Sequence, residues 1–350
     1  MQFCIDKNNV QDLLVGSSFY SCGGGVPVFK SRQVLASQIK DLHVPLRQIS
    51  DFSRNSVFCT VYAIGASGAN SKNYNKLVQA FSALEEVCET KFSGITPGEI
   101  GSEVNALWVA SQKNVPLIDT DMVGGRAVPK DHMDIHGINN ICPTPIVILN
   151  DTSNQFIIQK EPNNDSIESI CRRIAINSNG YAYIAGRPIN RDLIESLFPQ
   201  KTISRSLLTG HLIRKAYTRE ELLRSMSSIE NSNSLLIGTV TSVKLTHDPG
   251  FLSGKITIVS EDENKEYFVF FKNENIIIKH SHQTLCSVPD LITMLDLKNL
   301  LPLSNKDVKI GTKVMVMGIK ALPQWRSQKA ISLLQPSVFG FNEEYTPLKT

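Results

Sequence analysis

Carboxylates and an arginine are concentrated in the segment VPLIDTDMVGGRAVPKDHMDIHG, residues 115–137. Asp119 and Asp121 follow a short apolar run that predicts a strand, so both carboxylates would project to the same side. Like charges this close raise the pKa of one carboxyl towards neutral, which suits a general base. Arg126 could hold a carboxylate or a substrate oxygen through two hydrogen bonds. The structural alternative is that the Asp pair caps the following turn, with Arg126 as its ion-pair partner.

Two histidines in the same segment raise the question of a metal. A short helix between Pro129 and Gly137 would place His132 and His136 on one face, four residues apart, a spacing that can bind zinc. The glutamate that accompanies such a pair in metalloproteases is absent, so two solvated surface histidines are the alternative. A divalent metal such as zinc at these positions is the only cofactor that the sequence suggests.

Further polar side chains stand beside predicted apolar elements. Glu99, Glu103 and Asn105 lie at a loop-to-helix junction, where the helix N-terminus favours anions and acceptors. Glu274 and Asp290 each follow or precede an apolar run typical of a strand. A carboxylate there is paired, catalytic or exposed at a strand edge, and spacing alone favours the exposed edge.

Three adjacent glycines, Gly23, Gly24 and Gly25, occur in SSFYSCGGGVPV, residues 17–28. Each glycine costs about 0.5–1 kcal/mol relative to alanine in an ordered segment, so a triplet needs a local reason. Either the chain turns sharply, with Pro27 preventing a helix from continuing, or a group approaches bare backbone. Neither a Walker loop nor a dinucleotide fingerprint is present, so a nucleotide-binding regulator is the weakest interpretation.

The elements that must position these residues alternate along the first half of the chain. The patterns predict a helix over 8–20 with Asn9 as N-cap, and then the following elements: a strand over 56–66, helices over 75–92 and 98–114, and strands over 115–119 and 144–151. This alternation predicts a mostly parallel sheet with helices on its faces.

The second half differs in character. After a polar linker at 161–166, the patterns predict a helix over 166–176, a strand over 180–186 and a helical region over 202–226. From about 235 to 345 short apolar or alternating runs predict a small barrel or sandwich. The predicted domains are therefore 1–166, α/β, and 167–350, a helical connection that leads into a mainly β domain.

Composition limits the class of protein. The chain has 350 residues and a net charge of +3, so two domains are expected and no strong attraction to nucleic acid or membranes. Seven cysteines are scattered without a C-x-x-C pair, as expected for reduced thiols in the cytoplasm. The sequence has neither a secretory leader nor an apolar run of about 18 residues, which predicts a cytoplasmic protein with no membrane span.

Nine segments occur together in an order that resembles the S-methyl thiohydantoin desulfurase family, which is associated with hydantoinase and oxoprolinase enzymes. They are GGGVP, GEIGSEVNALWVA, VPLIDTDMVGGRAVP, DPGFLSGKITI, FKNENIII, SVPDLITMLD, GTKVMVMGI, LPQWRS and FGFNEEYTPL. The resemblance extends from about residue 10 to residue 348. It implies a three-layer α/β N-terminal domain, a mainly β C-terminal domain and an active site in the cleft between them.

The activity implied by the resemblance is hydrolytic replacement of a methylthio group on a hydantoin-type ring, which gives a hydantoin and methanethiol. A carboxylate would deprotonate the attacking water, while a second acid or Arg126 would stabilise the ring nitrogen. Carried over by position, the implied catalytic residues are Asp119, Asp121, Arg126, Glu274 and Asp290, and the implied substrate-binding residues are Gly23, Gly24, Gly25, Glu99, Asn105 and Asn273.

One departure leaves the activity open. Lys130 stands where the resemblance leads us to expect an acidic residue, so this chain could act on a different ring or be inactive. The alternative function is a non-catalytic accessory partner of a hydantoinase or oxoprolinase. A homo-oligomer is possible, and no nucleic-acid partner is expected.

Overall fold

The computed structural model describes residues 3–26, 28, 42–65, 73–178 and 180–349. Pro27, which was predicted to prevent the first helix from continuing, is the second residue after the glycine triplet and lies outside these ranges. Within them, every helix is too short or too polar to cross a membrane.

The first sheet contains eight strands of the described chain. Their bounds are β1 Cys4–Asp6, β2 His43–Arg47, β3 Val57–Gly65, β4 Gly94–Pro97, β5 Leu117–Ile118, β6 Ile146–Asn150, β7 Gln155–Ile158 and β8 Tyr181–Asn190. They lie in the spatial order β1-β2-β5-β4-β3-β8-β6-β7. β1, β2, β4 and β7 were not predicted, and β8 lies near the centre of this sheet although it follows the predicted linker.

This sheet is mixed, which corrects the expectation of a mostly parallel one. β2, β5, β4 and β3 pair in parallel, whereas β1, β8, β6 and β7 are added through antiparallel pairs. β6 and β7 are joined by residues 151–154 alone, and so short a connection permits only antiparallel pairing. The alternation of strands and helices therefore identified only the parallel centre.

Helices cover both faces of the sheet. The described helices are α1 Val10–Tyr20, α2 Asn75–Val87, α3 Glu103–Lys113, α4 Ile135–Asn139, α5 Asn164–Ile176, α6 Arg191–Leu197, α7 Thr202–Lys215, α8 Arg219–Ile229 and α9 Gln328–Leu333. Along β8, Tyr183 and Ala185 join the core beneath α2 and α3, while Ala182 and Ile184 join a second core beneath α5. The N-terminal region is thus the expected three-layer α/β arrangement.

Two helix starts differ from the sequence-based expectation. α3 begins at Glu103 rather than near residue 98, because Gly101 adopts a φ of +101° that breaks a helix. Asn9 stands at the N-cap position of α1, yet its side chain caps nothing there. It accepts a hydrogen bond from the Asp6 amide at 3.0 Å and donates one to the Cys4 carbonyl at 2.8 Å, which ties α1 to β1.

The C-terminal domain is rich in antiparallel strands, as predicted. Its strands are β9 Ser232–Thr246, β10 Ser253–Ser260, β11 Glu266–Lys272, β12 Glu274–His280, β13 Gln283–Ser287, β14 Leu291–Asp296 and β15 Lys313–Ile319. They form one sheet in the order β13-β12-β11-β10-β9-β15-β14, which curls into a half-barrel. Residues such as Val240, Ile256 and Val316 form a hydrophobic core in this domain.

Helix α1 is held against α7 at very short range. A Cβ atom added at Gly16 would lie 1.8 Å from the Ser206 carbonyl oxygen, and one at Gly210 would lie 1.8 Å from the Asp12 carbonyl oxygen. Only glycine permits two helix backbones to approach this closely. The contact fixes the C-terminal end of α1, from which the glycine triplet emerges.

The glycine triplet lies at the seam between the two domains. The Gly23 carbonyl accepts a hydrogen bond from the Asn305 amide at 2.8 Å, and the Cys22 carbonyl accepts one from the Asn275 amide at 2.8 Å. Gly23 and Gly25 have positive φ angles of 89° and 66°, so the triplet is a sharp turn. The turn brings N-terminal backbone into direct contact with the start of β12.

Candidate active site

A cavity of about 140 Å³ lies beside this turn, where the two domains meet. Its walls include Gly25 from the turn, Glu99 from the loop before α3, Asn105 from the first turn of α3, and Asn273 and Glu274 from the C-terminal domain. An apolar cavity of about 150 Å³ accommodates one benzene ring, so this volume suits a single small ring.

Five of the predicted site residues therefore line one cavity: Gly25, Glu99, Asn105, Asn273 and Glu274. Six others are absent from its described lining: Gly23, Gly24, Asp119, Asp121, Arg126 and Asp290. The interdomain location follows the expectation, but the acidic groups that face the cavity are largely different ones.

Glu274 is the first residue of β12 and is only 2% exposed. Its Oε1 atom lies so close to the turn that a Cβ atom at Gly24 would be 1.9 Å away. Its Oε2 atom is buried without a hydrogen-bond partner among the described residues. Burial raises the pKa of Glu274 well above its usual value, and the charge of Glu99 raises it further, against the opposing effect of Arg126. This environment favours the protonated, neutral form of the side chain.

Glu99 and Asn105 line the same cavity as Glu274 and belong to the N-terminal domain. The Glu99 Oε2 atom accepts a hydrogen bond from the Val128 amide at 3.1 Å, which orients its carboxylate. Asn105 is 1% exposed, and its Oδ1 atom has no hydrogen-bond partner within the described part of the chain. An unpaired buried acceptor costs about 1–3 kcal/mol, which a ligand with an N–H or O–H donor would recover.

Asn273 fixes the entry to β12. Its φ of +57° places it in the left-handed region, its Oδ1 atom accepts from the Leu252 amide at 2.9 Å, and its carbonyl accepts from Asn305 Nδ2 at 2.8 Å. The Asn305 side chain in turn packs on bare Gly23, where a Cβ atom would be 2.5 Å from Nδ2. These contacts position Glu274 rather than present a binding group.

A second charged cluster lines the cavity and was not predicted. Arg187, 2% exposed, donates to Asp134 Oδ2 at 2.6 Å and lies 3.5 Å from Asp131 Oδ2. The Tyr62 hydroxyl donates to the same Asp131 oxygen at 3.0 Å. Burial raises the pKa of Asp134 to about 6 although Arg187 opposes the rise. The charge of Arg187 is therefore compensated by the carboxylates of Asp131 and Asp134.

Arg172, also in the lining, is compensated in the same way. Its guanidinium contacts Glu168 Oε1 at 2.5 Å, donates to the Gly250 carbonyl at 2.9 Å and lies 4.2 Å from the centre of the Phe251 ring. Burial, followed by the charge of Asp131, raises the pKa of Glu168 to about 8. For Asp131 burial acts in the same upward direction, but the hydrogen bond from Glu168 and the charge of Arg187 lower its pKa overall.

Asp119 and Asp121, the predicted catalytic pair, are engaged by the protein itself. Asp119 accepts hydrogen bonds from Gln48 Nε2 at 2.7 Å and from the amide and hydroxyl of Ser204 at 2.9 and 2.5 Å, so it anchors the start of α7. Asp121 accepts from three successive amides, those of residues 123–125, at 2.7–3.1 Å. Burial nevertheless raises the pKa of Asp121 to about 6. Asp121 thus caps the turn that follows it, as the structural alternative in the sequence analysis described.

Arg126 does not pair with either aspartate within the described chain. Its guanidinium donates to the carbonyls of Pro289 and Ala127 and lies 5.8 Å from the centre of the Trp325 ring. It is 1% exposed, and burial lowers its pKa. Its contacts join the Asp-rich loop to the C-terminal domain behind the cavity wall.

Asp290 fastens the end of the chain. Its carboxylate accepts hydrogen bonds from the amides of Ala321 and Leu348, at 2.8 and 2.7 Å, and from the Tyr345 hydroxyl at 2.9 Å. With no exposed surface and all three donors supplied by the protein, this carboxylate has a structural environment.

The two histidines do not share a helix face. α4 begins only at Ile135, with Asp134 as its N-cap, so His132 precedes the helix and His136 lies inside it. His132 contacts Asp165 at 3.3 Å, and His136 is fully buried, where burial lowers its pKa. Within the described ranges we find no group of three or more His, Cys, Asp or Glu side chains that could hold a metal ion.

Comparison with known proteins agrees with this architecture. A family model described as "S-Me-THD-like, N-terminal domain" matches residues 8–160, and one described as "S-Me-THD-like, C-terminal domain" matches residues 162–348. The two matches define the class of protein, in which an α/β N-terminal domain is followed by a mainly β C-terminal domain. The chain belongs to the S-methyl thiohydantoin desulfurase-like family.

A solved structure shares this fold. The chain resembles the X-ray crystal structure of a protein from Chromobacterium violaceum with a TM-score of 0.85 and 21% sequence identity, over 99% of this chain and 100% of that one. At this identity the likeness establishes the fold alone. No curated protein matches the chain.

Proposed function

We propose that this protein hydrolyses an S-methyl thiohydantoin-type ring to the corresponding hydantoin and methanethiol in the interdomain cavity. The proposal rests on one observation above all: a cavity of one-ring size is lined by both Glu99 and Glu274, and the charge of Glu99 acts on Glu274. Family membership supports the substrate class. The chemistry is that suggested by the sequence. Glu274 keeps the catalytic role that the resemblance implied, whereas Glu99, which was expected to bind substrate, replaces Asp119 and Asp121 as the base.

The two carboxyl groups have complementary roles. We assign Glu274 as the acid, because burial and the charge of Glu99 raise its pKa and so favour the protonated form, which can donate a proton to the ring nitrogen. Glu99, oriented by the Val128 amide, can accept a proton from a water molecule. Environments that separate two carboxyl groups into an acid and a base are a recurrent arrangement in hydrolytic enzymes.

The reaction balances with water alone. The water oxygen bonds to the ring carbon that carries the methylthio group, one water proton passes to Glu99, and the ring nitrogen receives the Glu274 proton. The C–S bond then breaks as the C=O bond forms. The departing methanethiolate takes up the proton held on Glu99, and the second water proton restores Glu274.

The test is release of methanethiol from S-methyl thiohydantoins, followed with a thiol reagent. We expect Glu99→Gln and Glu274→Gln each to reduce kcat/KM by about 10²- to 10⁴-fold, the usual contribution of a general acid or base. Glu261→Gln, the same exchange in an exposed ion pair with Lys313, is the matched control and should retain full activity. Turnover that survives both cavity substitutions would refute these roles. Absence of thiol release from every such ring would favour the non-catalytic alternative.

A further inference from the structure

The unpaired polar atoms of the cavity are acceptors. Asn105 Oδ1 and Glu274 Oε2 are both buried without a hydrogen-bond partner among the described residues, and both side chains are at least 98% buried. The acidic pair is therefore accompanied by an independent feature, a buried amide oxygen of a lining residue that requires a donor.

The two arginines and Tyr62 in the cavity wall are engaged by other protein groups. Arg187 is bound by Asp134 and Asp131, and Arg172 by Glu168 and the Gly250 carbonyl. Tyr62 donates its hydroxyl proton to Asp131. Lys306 also contributes to the lining, at its exposed side. A ligand that fits this surface must bring N–H donors towards Asn105 and Glu274.

We infer that the cavity recognises its ring as a cation: a small cyclic amidinium, with N–H groups directed at Asn105 Oδ1 and Glu274 Oε2, binds in preference to the neutral cyclic urea of the same size. The inference rests on the proposed function, because an S-methylthio ring becomes an amidinium when its ring nitrogen takes a proton. A hydantoin lacks that basic nitrogen. The cavity therefore distinguishes substrate from product by charge, which promotes product release.

The environment of Glu274 sets the pH behaviour of this recognition. The charged or titratable groups that act on it are Glu99, Arg126, Arg172 and, from the glycine turn, Cys22. Burial favours the protonated form of Glu274, so a permanently charged ligand should gain affinity as that proton leaves. Its affinity should rise with pH, by up to about tenfold per unit below the pKa of Glu274.

The experiment measures binding without turnover. The probes are 2-amino-2-imidazoline, a cyclic guanidine that is cationic at neutral pH, and imidazolidin-2-one, its neutral urea counterpart. By calorimetry on the full chain we expect the cationic probe to bind about 10- to 100-fold more tightly, the ratio expected for a hydrogen bond to a charged group. Glu274→Gln should abolish this ratio and Asn105→Ala should reduce it, while Glu261→Gln should leave it unchanged.

The outcomes separate this inference from the proposed reaction. Equal or tighter binding of the neutral probe, or a ratio unaffected by Glu274→Gln and Asn105→Ala, overturns the inference even if methanethiol is released. Discrimination that persists without thiol release supports the recognition and overturns the reaction. The pH dependence of the wild-type chain provides a second measurement if a variant does not fold, and an affinity for the cationic probe that is independent of pH counts against the role of Glu274.

Discussion

Gly24→Ala tests whether the glycine turn exists to admit the Glu274 side chain. Unlike Gly23 and Gly25, Gly24 does not have a positive φ, so alanine fits its backbone conformation without strain. The added Cβ atom would lie 1.9 Å from Glu274 Oε1, 2.6 Å from Cδ and 2.9 Å from Cγ. The substitution is therefore a steric test directed at one carboxyl group.

The expected cost follows from this overlap. Forcing an extra carbon into a packed site typically lowers the free energy of unfolding by about 1–3 kcal/mol. In a Glu274→Ala background the three overlapping atoms are gone, so the cost should vanish. A gain of about 0.4–1 kcal/mol is then expected, since alanine restricts the unfolded chain more than glycine does. The coupling energy between the two positions should exceed about 1 kcal/mol.

Urea unfolding of the four proteins in the cycle measures this coupling. Gly311→Ala is the control, because a Cβ atom there meets nothing within 4 Å and only its φ of +87° is unfavourable. Its cost should be the same in both backgrounds. If Gly24→Ala destabilises the chain equally with and without the Glu274 side chain, the steric explanation of the triplet is refuted.

Three further substitutions test other parts of the structure. Burial raises the pKa of Glu103 to about 8 from 4.5, so its stabilising contribution is complete below pH 4.5 and is lost as pH rises to 8. In urea unfolding, the free energy of unfolding of Glu103→Gln should rise relative to that of the wild type between pH 4.5 and 8, by up to about 1.4 kcal/mol per pH unit. A difference that does not change with pH would contradict the raised pKa of Glu103. Asp121→Asn should lower the melting temperature, because one oxygen replaces two that accept three amides, while thiol release per folded molecule persists; loss of turnover with an unchanged melting temperature would restore the catalytic role predicted from sequence. Asp290→Ala should expose residues 339–349 to limited proteolysis by removing their buried anchor, and an unchanged cleavage pattern would argue against it.

Much of the fold could be predicted because local patterns encode it. The apolar run at 56–66 gave β3, the amphipathic runs gave α2 and α3, and the short alternating runs after residue 235 gave the antiparallel half-barrel. Strand pairing was less predictable, since the direction in which β8 joins the first sheet depends on packing between distant segments.

The candidate site divides in the same way. The resemblance implied eleven site residues, of which Gly25, Glu99, Asn105, Asn273 and Glu274 line the cavity and the other six are absent from its described lining. Asp131 and Arg187 were not predicted. The acidic residue was expected at the position of Lys130, one residue before Asp131, and Arg187 lies within a strand whose pattern is otherwise apolar. A charged residue inside such a strand is the signal that could have revealed the second cluster.

The sequence by itself determined the family, the two kinds of domain and the need for bare backbone at the glycine triplet. Tertiary structure decided which carboxyl groups line the cavity. Asp119 and Asp121 are the closer pair along the chain, but Asp119 is bound by Ser204, 85 residues away, and Asp121 by the amides of its own turn. Glu99 and Glu274, remote in sequence, meet at a cavity. The physical reason is that burial and contacts between segments remote in sequence, such as Ser204 with Asp119 and the glycine turn with Glu274, set the environment of each carboxyl group, and no local pattern encodes them.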